Sequence, residues 1–462
     1  MLAHRIHEQS AVGSCRQPGR GLHSLQLQTA DCSYDHQLMR VAWFSPLPPV
    51  RSGIAAVNAS LLPRLDDRLA VDRFVAERHA GDNSNVFDAH DFVWKARREP
   101  YDLVVYQLGN AAWHDYMWAY LARYPGLVVL HDPRLHHARA RHLLHERRFD
   151  DYRREFWYDH PHTSRDFVEY AVEGLGGPIY YQWSMAACAV RTARVVAVHN
   201  ARVAADLEAE FPGARIETIR LGTAAPVVDA PARDRVRAAL GVGRRDVLFS
   251  AFGKITAEKR IGAIVRAFTA LAAERSDVHL LLAGDASEYP ALARDLSSSS
   301  AAARIHVSGY LDDAAVEEHL ATADACVCLR WPTALESSAS WLQCLAAGRP
   351  TIVSDLAHTV DVPASVALRV DLVDEDASLA SAMRALASDG RLRTATGEAG
   401  RAYWSANHTI DAMADDYRRV IRIAAAAPAP VVNDLPAHFT DDHSSHARKL
   451  ARTFGVDLDI LR

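Results

Sequence analysis

The sequence predicts an α/β protein made of two doubly wound domains of similar size, and three observations carry that reading. From Met39 onward, short β-branched or apolar runs alternate with longer amphipathic stretches, the pattern of βαβ units around a mainly parallel sheet. The alternation halts near Leu221-Gly222-Thr223 and restarts at Val247. A chain of 462 residues, 49% of them hydrophobic, is long and apolar enough for two to three ordinary domains with real cores.

Residues 1–38 mix His, Arg, Gln, Ser and Gly without a hydrophobic period. They lack the roughly 7–15-residue apolar core of a secretory signal. The expectation is a disordered leader, with Met39 as an alternative start. The first domain is expected over 39–222, with strands at 40–44, 103–106, 127–131, 195–199 and 216–221. Amphipathic segments at 55–62, 114–123 and 203–210 lie between them, and 164–194 reads as helix broken at Gly174–Pro178. The second domain is expected over 223–405, with strands at 247–251, 279–283, 304–307, 325–329, 351–354 and 368–370. Its helices are expected at 234–240, 261–273, 313–322, 338–347 and 379–386. A C-terminal helix at 406–425 is expected to cross back to the first domain, followed by a weakly structured tail at 426–462.

Composition narrows the function. A net charge of -5 provides no global basic surface for nucleic acid. The basic stretch 139–148 reads as a solvated helix face. The six cysteines are scattered without CxxC pairs, so neither a disulfide framework nor a zinc site is expected, and a reducing cytoplasm fits. No apolar run approaches the roughly 20 residues that span a bilayer.

Two segments carry candidate chemistry. In Phe252-Gly253-Lys254-Ile255-Thr256-Ala257-Glu258-Lys259-Arg260, a strand end turns into a helix. Gly253 permits a tight turn, and Lys254 and Lys259 place two cations where a diphosphate would suit, although on its own the segment reads equally as a solvated Lys-Arg pair starting a surface helix. The pattern is not a Walker loop. The second segment, Arg330 to Gln343, leaves a strand and opens a helix with the cap-competent Ser337 and Ser338, whose first-turn amides can meet phosphate oxygens. Glu336 can face a cleft and accept sugar hydroxyls, or simply favour the helix start through the macrodipole.

Together these segments resemble the family 4 retaining glycosyltransferases (glycosyl transferases group 1) of the GT-B fold, from about Met39 to Ile423. FGKITAEKR is similar to the family's G-[RK]-x-x-x-x-K loop, and LESSASWLQCLAAGRPTIVSD to its glutamate-bearing helix and G-x-P-x-[IV] turn. In the first half, SPLPPVRSGIA is similar to the N-terminal glycine loop, and VVLHD ends a strand as in the family.

The resemblance implies two Rossmann-like domains facing across a cleft, with a nucleoside diphosphate sugar as donor and no cofactor or metal. It implies that Lys254 and Lys259 neutralise the diphosphate beside Gly253, and that Glu336 holds sugar hydroxyls. Amides at Ser337, Ser338 and Ala339 would meet the phosphates, Gly309 and Tyr310 the base, and Gly53 would line the first-domain side. His131 would approach the reacting carbon; read from the residues alone, it could equally bond Asp132 or a loop. The family carries two glutamates at a fixed spacing. Counting that spacing from Glu336 reaches Cys344, whereas aligning on the AAGRP turn puts Gln343 opposite the second glutamate, as a ribose contact.

The implied reaction is transfer of a sugar, of hexosyltransferase type, to an acceptor hydroxyl with retention, the departing phosphate helping to take the acceptor proton. Cell-surface polysaccharide or glycolipid synthesis would be its setting. The acceptor would be a sugar or lipid-linked sugar, and a cytoplasmic chain could sit at the inner face of the membrane. Trp113, Trp118, Arg139 and Arg141 could meet such an acceptor or be helix packing and a solvated face. Two other readings share the donor site: a GT-B sugar-nucleotide epimerase, and a non-catalytic partner of another transferase.

Overall fold

The computed structural model describes residues 38–79, 81–226, 230–441 and 445–456, so the expected leader lies outside the described residues except for Leu38. The first sheet contains β1 (Met39–Phe44), β2 (Leu69–Val75), β3 (Val86–Asp88), β4 (Leu103–Leu108), β5 (Leu127–Leu130), β6 (Val195–Val198) and β7 (Ile216–Thr218). All pairs are parallel, in the order β3-β2-β1-β4-β5-β6-β7. The second contains β8 (Val247–Phe252), β9 (Val278–Ala283), β10 (Ile305–Val307), β11 (Ala325–Cys328), β12 (Thr351–Ser354) and β13 (Ala367–Val370). It too is parallel, in the order β10-β9-β8-β11-β12-β13.

Parallel strands covered by helices on both faces need continuous apolar runs. β4, β8 and β9 meet that need with every residue buried. In each sheet the winding reverses beside the first strand, between β1 and β4 and between β8 and β11. The crevice outside the carboxyl ends of the strands at such a reversal is where open α/β sheets take ligands.

Five differences from the sequence expectations stand out. β2 and β3 were not expected, because Asp72 and Arg73 interrupt the first and the second is a three-residue edge strand. The stretch 164–194 breaks at Gly174–Pro178 as expected but breaks again after Gln182, giving three short helices, Arg165–Val172, Ile179–Gln182 and Ala187–Thr192. An additional helix, Gly390–Asn407, precedes Ile410–Ala426. The latter buries Met413, Tyr417, Val420 and Ile421 in one cluster with Val41, Trp43 and Leu61 of the first domain. The tail expected to be weakly structured is fastened to the first domain, where Phe439 packs on its core and His438 Nε2 lies 2.7 Å from Glu155 Oε1.

Fifth, the basic stretch is not a uniformly solvated face. Arg139 is buried in a two-point ion pair with Glu155 and lies 4.1 Å from the centre of the Trp118 ring, while Arg141 pairs with Asp115. Neither Arg139 nor Trp118 is presented to an acceptor. Among the described residues, no helix is long and apolar enough to cross a membrane.

Candidate active site

On the second-domain side, Gly253 turns the chain out of β8 with φ +84°, a left-handed conformation suited to glycine. Lys259 folds back beneath that turn and donates to the Phe252 carbonyl, so close that a β-carbon on Gly253 would lie 2.8 Å from Nζ. Burial, with the Arg330 guanidinium nearby, lowers the Lys259 ammonium to about 8. Lys254 is different: it is exposed and ion-paired with Glu288. The expected pair of equivalent lysines is therefore one half-buried cation and one surface cation, and the charge facing Lys259 is Arg330.

Arg330 follows β11, and its guanidinium reaches Glu336 Oε1 at 2.9 Å. Glu336 Oε2 accepts from Thr333 Oγ1 (2.8 Å) and Ala334 N (2.9 Å). The carboxylate is thus fixed, with lone-pair capacity left on Oε1 for a sugar hydroxyl. Leu335 just before it adopts φ +67°, a strained conformation for a branched side chain that concentrates at functional turns.

Ser338 caps the helix Ala339–Ala346, its Oγ accepting from Trp341 N at 3.3 Å. Leu342 and Leu345 bury that helix against the core, so its N-terminus, with the amides around Ser337, Ser338 and Ala339, is held in place. Gln343, half-buried one turn further along, makes no side-chain hydrogen bond among the described residues. Gly309, at φ +71°, is followed by Tyr310, whose exposed ring lies 4.2 Å from the Arg51 guanidinium of the other domain. Arg51 leads into the helix Gly53–Leu65, capped by Ser52, with open space above Gly53.

The first-domain side is built from residues at the ends of three neighbouring strands, Gln107, His131 and His199. His131 Nε2 lies 2.7 Å from the Gln107 carboxamide, and His131 Nδ1 lies 3.0 Å from His199 Nε2. His199 Nδ1 in turn lies 2.9 Å from the Ile219 carbonyl, and the Tyr417 hydroxyl 3.1 Å from the Gln107 carboxamide. Burial keeps both rings neutral, lowering His199 to about 4 and His131 well below its usual value. Neutrality fixes the protons: His199 Nδ1–H donates to Ile219, and His131 Nδ1–H donates to His199 Nε2. Both ring nitrogens of His131 are consumed inside the first domain.

Its neighbour Asp132 is the group that senses the second domain. Burial and Glu336 push Asp132 up to about 7, opposed by the Asn110 N–H and Arg330. The two sides also touch directly, through Tyr181 OH to Glu258 Oε1 (2.6 Å), Asn200 Nδ2 to the His358 carbonyl (2.7 Å) and Arg134 N to the Ala334 carbonyl (3.3 Å). Between them lies a cavity of about 90 Å³ lined by His199, Asn200, Arg330, Glu336, Ser338 and His358.

Sequence reasoning brought Gly253, Lys259, Glu336, Ser337 and Ser338 to one place but passed over Arg330, Asp132, His199 and Asn200 as site residues. A signal existed: Arg330, Asp132 and His199 each stand one or two positions beyond an apolar strand, at the carboxyl end where ligands bind.

Residues 246–389, which carry the loop at Gly253–Lys259 and the Glu336 helix, match the family described as Glycosyl transferases group 1. The second domain is a group 1 glycosyltransferase domain. Solved glycosyltransferases share the whole two-domain GT-B architecture. HepE of Anabaena, in complex with UDP-glucose, is 14% identical, with TM-score 0.60 over 83% of this chain and 100% of its own. WaaG, a glycosyltransferase involved in lipopolysaccharide biosynthesis, is 13% identical, with TM-score 0.58 over 84% and 100%. Sucrose-phosphate synthase from Thermosynechococcus elongatus is 16% identical, with TM-score 0.58 over 83% and 98%. No curated protein matches the chain by sequence. The chain thus carries a group 1 glycosyltransferase domain within a GT-B fold.

Proposed function

We propose that this glycosyltransferase moves a sugar from a nucleoside diphosphate sugar to an acceptor hydroxyl with retention of anomeric configuration, in the synthesis of a surface polysaccharide or glycolipid. One observation carries the donor half of this reading. Lys259, Arg330 and the N-terminus of Ala339–Ala346 converge at the reversal of the second sheet. Among the described residues, Arg330 has one carboxylate partner, Glu336, and Lys259 has none. A diphosphate supplies the missing negative charge, and fixed cations in a partly dry cleft stabilise it as it leaves. Glu336, anchored by Arg330 and Thr333, would hold the sugar, with Gly309 and Tyr310 toward the base. The complex of HepE with UDP-glucose supports a nucleotide sugar as the ligand class. Contacts such as Tyr181–Glu258 and Arg51–Tyr310 suit a cleft that closes on the donor and excludes water.

The test is a panel of nucleotide sugars scored by thermal shift, followed by product analysis with the best ligand. Donor-dependent stabilisation and sugar transfer are expected. No stabilisation by any nucleotide sugar would sink the reading, and an isomerised nucleotide sugar formed without an acceptor would replace it with epimerisation.

A further inference from the structure

Three thiols meet beside the cavity between the domains. Cys326 and Cys328 alternate along β11 and so face the same side, toward Cys344 on the helix Ala339–Ala346. Cys328 Sγ and Cys344 Sγ lie 3.9 Å apart, although 16 positions separate them in the chain. Cys326 and Cys344 are fully buried, where a thiol serves as a small apolar side chain. Cys328 is different. It is only half-buried and lines the cavity together with Arg330, Glu336 and Ser338.

Their surroundings set the two members of the close pair apart. Arg330 follows Cys328 by two positions, and both sulfurs are near enough to favour the Lys259 ammonium. A partly exposed thiol beside fixed cations is the setting in which cysteines react. Hydrogen bonds with the Cys326 and Cys328 thiols, together with burial, push Cys344 well up, so it stays a thiol. The pair therefore has one member that a small molecule in the cleft can reach and one held behind it. That is the division between a sulfur that is oxidised and a sulfur that resolves it.

We propose that Cys328 and Cys344 are a peroxide-sensitive dithiol whose reversible disulfide weakens donor binding. The Cys328 sulfur attacks one oxygen of hydrogen peroxide and the O–O bond breaks. Cys328 becomes a sulfenic acid, and the departing hydroxide takes up the proton that Cys328 gave. The Cys344 sulfur then attacks the Cys328 sulfur, the S–O bond breaks, and the hydroxide that leaves carries off the Cys344 proton as water. The two thiols lose two electrons and the peroxide is reduced to two waters; a thiol reductant reverses the change. Closing the 3.9 Å gap to a bond of about 2 Å draws the end of β11 toward the helix. Arg330 and the amides at Ser337, Ser338 and Ala339 sit on those two segments, so the groups that would hold the diphosphate lose their spacing. The effect on the donor rests on the sugar-transfer reading; the bridge itself does not.

The test treats the full chain with hydrogen peroxide, maps its cysteines by peptide mass spectrometry, and measures affinity for UDP-glucose, GDP-mannose and ADP-glucose by calorimetry. A peptide joined through Cys328 and Cys344 is expected. Donor affinity should fall about 10-fold or more, the loss of at least one charge-assisted contact, and dithiothreitol should restore it. Saturating donor should slow the bridging, because a coupling between two sites is reciprocal. Cys344→Ala should form no bridge and keep most of its donor affinity after peroxide. Thiols that stay unlinked, a bridge from Cys344 to Cys326, or a bridge that leaves donor affinity within about threefold overturns the proposal and leaves sugar transfer standing. A reduced chain that binds none of these donors overturns sugar transfer, and the effect on the donor with it, while the mapping still decides whether the bridge forms.

Discussion

The two faces of the cleft handle charge in opposite ways. On the second domain, Lys259 is a half-buried cation without a carboxylate partner among the described residues, and Arg330 beside it shares only Glu336 there. On the first domain, Gln107, His131, His199 and Tyr417 are hydrogen-bonded to one another, and both rings are neutral. The first arrangement is incomplete without an anion, whereas the second carries no charge that needs one. Unmatched charge marks where a ligand binds; a neutral hydrogen-bond network marks where a surface is held rigid for it.

Lys259→Ala breaks the comparison at its strongest point. A charge-assisted contact is worth about 1.5–3 kcal/mol, so donor affinity measured by calorimetry should fall about 10- to 150-fold. An effect below threefold would show that the half-buried cation faces no anion.

The same cation predicts a pH dependence. Lys259 is charged below about 8 in the free protein and loses its proton above it, so donor affinity should fall as pH rises past 8. A titration of affinity from pH 6 to 10 that stays flat would remove Lys259 from the site.

His199→Phe probes the other face. It leaves the His131 Nδ1–H buried without an acceptor, at a cost of about 1–3 kcal/mol, read as a lower midpoint in denaturant. Because His199 also lines the cavity between the domains, donor affinity should fall, but much less than in Lys259→Ala; a comparable loss would erase the distinction between the faces. The smallest effect is expected for Lys254→Ala, whose exposed pair with Glu288 places it in the range of about 0–1 kcal/mol.

The same contrast explains what could be read from the sequence. The second-domain site is local: Gly253 to Lys259 and Arg330 to Ser338 are each one strand–turn–helix passage, so adjacency in sequence is adjacency in space. Ser338 was legible as a cap because a cap is a local device. The first-domain face is not local. His131 meets Gln107 across 24 positions and His199 across 68, and Tyr417 reaches Gln107 across 310. No period or spacing encodes such contacts. Arg139 was misjudged for the same reason, since its partner Glu155 lies on the following helix and its cover, Phe439, at the far end of the chain. The unequal roles of Lys254 and Lys259 depend on Glu288 and on the direction of the turn at Gly253, which a motif does not specify.

The helix Ile410–Ala426 has a consequence for the order of biosynthesis. Its Met413, Tyr417, Val420 and Ile421 complete a core begun by Val41, Trp43 and Leu61. On the ribosome the first sheet emerges first, yet it lacks these side chains until the whole second domain has been made. The second domain can therefore settle before the first closes, an inversion of the usual N-terminal-first order of domain folding. During that interval the half-finished first core exposes apolar surface, and its protection from aggregation depends on how quickly residues 410–426 arrive.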